Sequence, residues 1–172
     1  MTSPSERYRE VQKTRPLWLV LLTLLPTCLI WSGAGWQIFI EGTWGSDPAS
    51  DAWLAVLFIT IGIFLPLLLL NLRLTVVVTD RIAIRFFPFM PRARVILPDE
   101  IRQHQATKYD PILDYGGWGI KGTRSDRSYN MMGDEGVKLF LKSGRTVLIG
   151  SQRPGELDAA IGAMLGHGRD VN

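Results

Sequence analysis

Tyr115-Gly116-Gly117-Trp118-Gly119 is the stretch whose residue types most suggest a binding site. Three glycines around an indole permit close backbone approach and positive φ, and Tyr115 and Trp118 would then present an aromatic contact surface. The competing reading places Trp118 inside a core, with the glycines relieving crowding at bends. Lys121, Arg124 and Arg127 follow as a basic loop. Such a loop suits anionic lipid headgroups or an acidic partner, or else is a solvated segment partly neutralised by Asp126. No Gly-Lys-Ser/Thr or dinucleotide fingerprint follows the glycines, so a phosphate loop is not expected.

Other chemistry is sparse. His104 and His167 are far apart, and the single cysteine, Cys28, sits inside an apolar run, so no metal-ligand spacing exists. Serines are plentiful, but only His104 is placed where a fold would hold a base. Asp99 and Glu100 read as loop charges rather than an acid/base pair. No cofactor, metal or catalytic residue is expected, and an enzyme working through Tyr115 to Arg127 is the remaining alternative. A dense basic stripe with interleaved aromatics is absent, which argues against nucleic acid.

The elements that must position these residues fall into two unlike parts. Leu17 to Ile40 and Ala52 to Leu72 contain no Asp, Glu, Lys or Arg in 24 and 21 residues. At about 1.5 Å rise per residue each is long enough for the roughly 30 Å hydrocarbon core of a bilayer, and both read as transmembrane helices. Residues 1–16 carry a net +2, the loop 41–51 a net −3, and the chain from Asn71 onward a net +4. Positive flanks remain in the cytoplasm. The expectation is therefore a two-helix hairpin in a bacterial inner membrane with both termini cytoplasmic. A cleaved leader is the minor alternative, disfavoured because the apolar run continues past Ser32-Gly33-Ala34. Pro26, Gly62 and Pro66 should kink or loosen the helices.

After Leu72 the pattern becomes strand-like. Leu74 to Thr79 is rich in β-branched residues, Asp80-Arg81 supplies a turn, and Ile82, Ile84 and Phe86 alternate with smaller or charged residues. Val137, Leu139 and Leu141 alternate with lysines, Ser143-Gly144 turns, and Thr146 to Ile149 returns. Leu157, Ile161, Met164 and Leu165 recur at helical spacing after Ser151 and Pro154. Leu139, Leu141, Val147 and Ile149 should face inward and meet Leu157 and Ile161.

Four motifs carry a resemblance over residues 72–165: Tyr115 to Ile120, Gly150-Ser151-Gln152-Arg153-Pro154, Val78-Thr79-Asp80, and Leu97-Pro98-Asp99-Glu100-Ile101. With the two apolar stretches, the chain resembles small bacterial membrane proteins bearing a pleckstrin-homology-like domain. The resemblance implies a bent antiparallel β-barrel or sandwich of about seven strands, capped by one C-terminal helix. It also implies a binding or self-assembly module without enzymatic activity. Phosphoinositide clamps of such folds use a basic first hairpin loop, whereas Thr79-Asp80-Arg81 holds one base, which argues against that ligand. The expected organisation is a cytoplasmic tail 1–16, helices 17–40 and 52–72 around an outer loop 41–51, a domain 73–166 and a tail 167–172. The expected partners are the lipid bilayer, a protein partner or further copies of the chain, and anionic headgroups. A lipid-facing accessory subunit of an envelope transport or stress-response system is the second functional alternative.

Overall fold

In a computed structural model, residues 6–13, 17–40 and 50–167 are described. The chain divides into two units, residues 14–71 and the combination of 1–13 with 72–172. Of the expected loop 41–51, residues 41–49 lie outside the described residues, as do tail residues 168–172.

The helical unit begins with α1, Leu17–Ile40, which carries Pro26 inside it. The second apolar stretch is not one helix. It runs as α2, Asp51–Leu57, a π-helical segment, Phe58–Phe64, and α3, Leu65–Asn71. Pro66 has no N–H to give the carbonyl of Gly62, and the Leu65 N–H reaches back five residues to Thr60. The carbonyls left without helical donors are met from α1. Trp31 Nε1 donates to Gly62 O at 3.4 Å and Thr27 Oγ1 to Ile61 O at 3.5 Å. Trp31 also stacks at a tilt on Phe58, with ring centres 4.9 Å apart.

These facts correct the membrane reading. Among the described residues no helix is long and apolar enough to cross a membrane. The second stretch runs as three successive seven-residue segments, α-, π- and α-helical. The two-helix transmembrane hairpin is thus overturned, and with it the inner-membrane localisation and the cytoplasmic placement of both termini.

The other unit is built on two sheets rather than a closed barrel, which corrects the expected architecture. One sheet has the order β1-β2-β3-β4, formed by Tyr8–Lys13, Arg73–Val78, Ile82–Phe87 and Met90–Ile96. The other has the order β5-β8-β9-β7-β6. Its strands in chain order are β5 Ile101–Lys108, β6 Gly119–Gly122, β7 Asp126–Asn130, β8 Glu135–Leu141 and β9 Thr146–Gly150. Strands β1, β4, β5 and β6 remain as edges, so neither sheet closes. The second sheet is not wholly antiparallel either, because β7 runs parallel to β9. Between β4 and β5 the chain turns through Pro98–Glu100, where the Glu100 carboxylate accepts the Leu97 N–H at 3.0 Å.

One apolar core joins both sheets to the closing helix α4, Pro154–His167. Leu74, Val76, Ile82 and Ile84 come from the first sheet, Leu139, Leu141, Val147 and Ile149 from the second, and Leu157, Ile161 and Met164 from α4. The period-2 and helical alternations place these side chains inward.

Strand β1 lies where a polar tail was expected. Its register is antiparallel to β2, from Tyr8 opposite Val78 to Lys13 opposite Arg73. The helical unit is therefore one long insertion between two neighbouring strands. The buried face of β1 is Tyr8, Glu10 and Gln12, while Val11 is exposed. This inverts the usual apolar-in pattern. The Glu10 carboxylate accepts from the Tyr8 hydroxyl, from Ser151 Oγ at 2.6 Å, from Gln12 Nε2 at 3.1 Å and from the Gln152 N–H at 2.9 Å. Gln12 Nε2 also donates to Gly150 O at 2.8 Å. Gly150 to Arg153 is thus the socket that holds the first strand.

Candidate functional site

The segment between β5 and β6 folds on itself. Asp110 Oδ1 accepts the N–H groups of Ile112 and Leu113, each at 2.9 Å, and Asp114 Oδ2 accepts the Asp110 N–H at 2.9 Å. An aspartate that caps the following amides in this way fixes a tight turn. Gly116 N–H then bonds Ile112 O and Gly117 N–H bonds Pro111 O. Gly116, Gly117 and Gly119 have φ of 72°, 117° and 115°, so this path requires the freedom that the glycines supply.

The turn holds apolar side chains in solvent. Leu113 is 84% exposed, Ile112 60% and Trp118 42%. Trp118 lies outside the core, its indole Nε1 donating to Gly133 O at 3.2 Å. Tyr115 does not share that surface. It is half-buried, its hydroxyl 3.3 and 3.5 Å from the two oxygens of Asp126, and its ring meets Tyr109 edge-on with centres 6.0 Å apart. The expected Tyr115–Trp118 pair is split between an inward and an outward role. Ile112 and Leu113 join Trp118 on the exposed loop, and two aliphatic residues in a polar segment carry no motif that marks them in the sequence.

Behind the loop, on the sheet face away from the core, is a polar hollow of about 270 Å³ lined by Tyr109, Asp114, Tyr115, Asp126, Lys138 and Leu148 among others. Its charged groups are engaged with one another. Asp126 accepts from the Tyr115 and Thr146 hydroxyls and has Lys138 Nζ at 3.8 Å. Burial first, then the charge of Asp126, raises the Tyr115 phenol well above its ordinary pKa, and burial also shifts Tyr109 upward. Both phenols stay protonated at neutral pH, which suits hydrogen-bond donation and not base catalysis.

The three bases of the expected basic loop do not converge. Lys121 on β6 is opposite Ser128, whereas Arg127 on β7 is opposite Gly122, so alternation sends the two side chains to different faces of the sheet. Arg124 is exposed in the intervening turn. In the β2–β3 turn the one base, Arg81, forks onto Asp80 at 3.0 and 2.9 Å, and this pairing holds the Asp80 carboxyl down at about 2. His104 Nδ1 lies 2.6 Å from Asp158 Oδ1 of α4. This pair ties α4 to β5. Among the described residues no group of three or more His, Cys, Asp or Glu is placed to hold a metal.

No curated protein and no solved structure matches the chain. A match to one family covers residues 3–166, taking in β1, the helical unit and both sheets together. It replaces the pleckstrin-homology-like assignment, which the two open sheets and the parallel β7–β9 pair also fail to support. The chain belongs to DUF6141, a family of unknown function.

Proposed function

We propose that the β-unit is a non-enzymatic protein-binding module whose contact is the loop 110–118. The observation that carries this reading is the exposure of Leu113, Ile112 and Trp118 on a turn already fixed by Asp110 and three glycines. Ordering a loop on binding costs free energy, and a loop ordered beforehand avoids that cost. Aromatic and aliphatic anchors set in a ring of polar residues are the groups that dominate protein contacts. Tyr115, by bonding Asp126, serves the loop as a rivet and not as a contact.

The test is a photo-crosslinking residue at Leu113 in the full chain, with adducts from native cells identified by mass spectrometry. A discrete protein adduct is expected, and Trp118→Ala should lower its yield about 30-fold, the effect of losing a 2 kcal/mol anchor. The melting temperature should not change, because the ring is outside the core. An adduct joining two copies of the chain would identify self-assembly as the contact. Absence of any discrete adduct, or one indifferent to Trp118→Ala, overturns the reading.

A further inference from the structure

A different surface, the outer face of the four-stranded sheet, carries a cationic and aromatic cluster. Register places Lys13, Arg73 and Phe87 in one row across β1, β2 and β3, and Val11, Thr75 and Arg85 in the next. These side chains alternate with the buried ones and so share the face turned away from the core. The guanidinium carbons of Arg73 and Arg85 lie 4.9 and 5.9 Å from the centre of the Phe87 ring. Among the described residues none of Lys13, Arg73 and Arg85 has an ion-pair partner. The β3–β4 turn carries Phe89, 64% exposed, with its ring 6.4 Å from that of the core residue Phe86 and so not part of this cluster.

The opposite end of the same sheet is neutralised. Arg9 has Glu6 at 3.5 Å, and Arg81 has Asp80 at 2.9 Å. Positive charge is thus concentrated at the end of the sheet formed by Lys13 and Arg73. Ring contacts hold two of the three cations in place, which lowers the entropy lost when they meet an anion.

We propose that this face docks on an anionic lipid surface. The cations are spread over three strands rather than gathered in a groove, which suits a two-dimensional array of phosphates. Two guanidinium groups already lie over the Phe87 ring and compete with a stacking nucleobase, which counts against a single-stranded nucleic acid. This contact is peripheral and independent of the loop 110–118.

The experiment is flotation of the full chain with vesicles of phosphatidylcholine alone and of equal parts phosphatidylcholine and phosphatidylglycerol. The difference between the two isolates the electrostatic contact from any general affinity of the apolar stretches for lipid. Each cation near an anionic surface multiplies partitioning about five-fold, so Arg73→Gln with Arg85→Gln should lose roughly 30-fold of the anionic preference. Raising salt from about 0.1 M to about 1 M should abolish that preference. Arg73→Lys with Arg85→Lys, which keeps the charges, should restore most of it and excludes misfolding as the cause. Equal partitioning to both vesicles, or an anionic preference unchanged in the glutamine variant, overturns the proposal. So does arginine-dependent binding to soluble glycerol phosphate, polyglutamate or single-stranded DNA without binding to anionic vesicles, which would assign the face to a soluble anion.

Discussion

At the scale of single residues, Tyr8 joins the first strand to the rest of the β-unit. Its hydroxyl bonds Glu10 and lies 3.1 Å from Ser151 Oγ, and Arg153 covers its ring at 5.1 Å. Burial, followed by the bond to Glu10, pushes the Tyr8 phenol up to about 12. The folded pKa therefore lies above the unfolded value of about 10. Below pH 10 both states hold the proton and the full stabilisation is present. Between pH 10 and 12 the unfolded chain ionises while the folded chain does not, so stability falls as pH rises. Tyr109 and Tyr115 act in the same direction. Urea midpoints measured at intervals from pH 8 to 12 should thus decline for the wild type, and less steeply for Tyr8→Phe, by on the order of 2 kcal/mol at the alkaline end. Equal slopes would mean that β1 does not hold Tyr8 inside the fold.

At the scale of elements, α4 covers the core with Leu157, Ile161 and Met164, each nearly or fully buried. Leu157→Ala should cost about 2–5 kcal/mol, read as a lower urea midpoint with an unchanged slope. That helix and its partner strands were legible because Val137, Leu139 and Leu141 alternate with Lys138 and Lys142, Ser143-Gly144 turns the chain back, and Leu157, Ile161 and Met164 repeat at helical spacing. Strand β1 was not legible. Its buried residues are Tyr8, Glu10 and Gln12 and its exposed apolar residue is Val11, so hydropathy points the wrong way. Beside its neighbours Tyr8 and Gln12, partners some 140 positions distant, Ser151 and Gln152, make a buried glutamate acceptable. The second apolar stretch misled for a related reason. Composition shows that Phe58 to Asn71 is uncharged, but not that Pro66 shifts the hydrogen-bonding into a π segment whose carbonyls Thr27 and Trp31 complete. Of the candidate site, the need for glycine freedom at Gly116, Gly117 and Gly119 was readable, whereas the exposure of Trp118 was not, since an indole among glycines fits a core as well as a surface. The inward turn of Tyr115 was not, because it depends on Asp126 across the sheet.

For the whole molecule, the organising fact is that the helical unit is inserted between β1 and β2. Lys13 and Arg73 are direct partners in the ladder, so the two ends of the insertion leave the sheet side by side. Apart from Leu72, which packs against the core, the β-unit is expected to need from residues 14–72 only that its two strands be joined. A two-residue Asn-Gly turn can join antiparallel partners without changing their register. Replacing residues 14–72 by Asn-Gly should therefore give a chain that unfolds cooperatively, with a melting temperature within a few degrees of the β-unit in the full protein. A fragment beginning at Leu72 lacks β1 and should behave quite differently. Its β2 edge loses its ladder partner, and the socket at Gly150, Ser151 and Gln152 loses the Gln12 and Glu10 groups that fill it. Each unsatisfied buried polar group costs about 1–3 kcal/mol, so this fragment should melt more than about 10 °C lower or fail to fold. The two chains differ chiefly in β1, and calorimetry of both separates the contribution of that strand from that of the helices. If the Leu72 fragment melts with the same midpoint as the Asn-Gly chain, β1 is an ornament on the sheet. If neither folds, the β-unit depends on the inserted helices for more than connection.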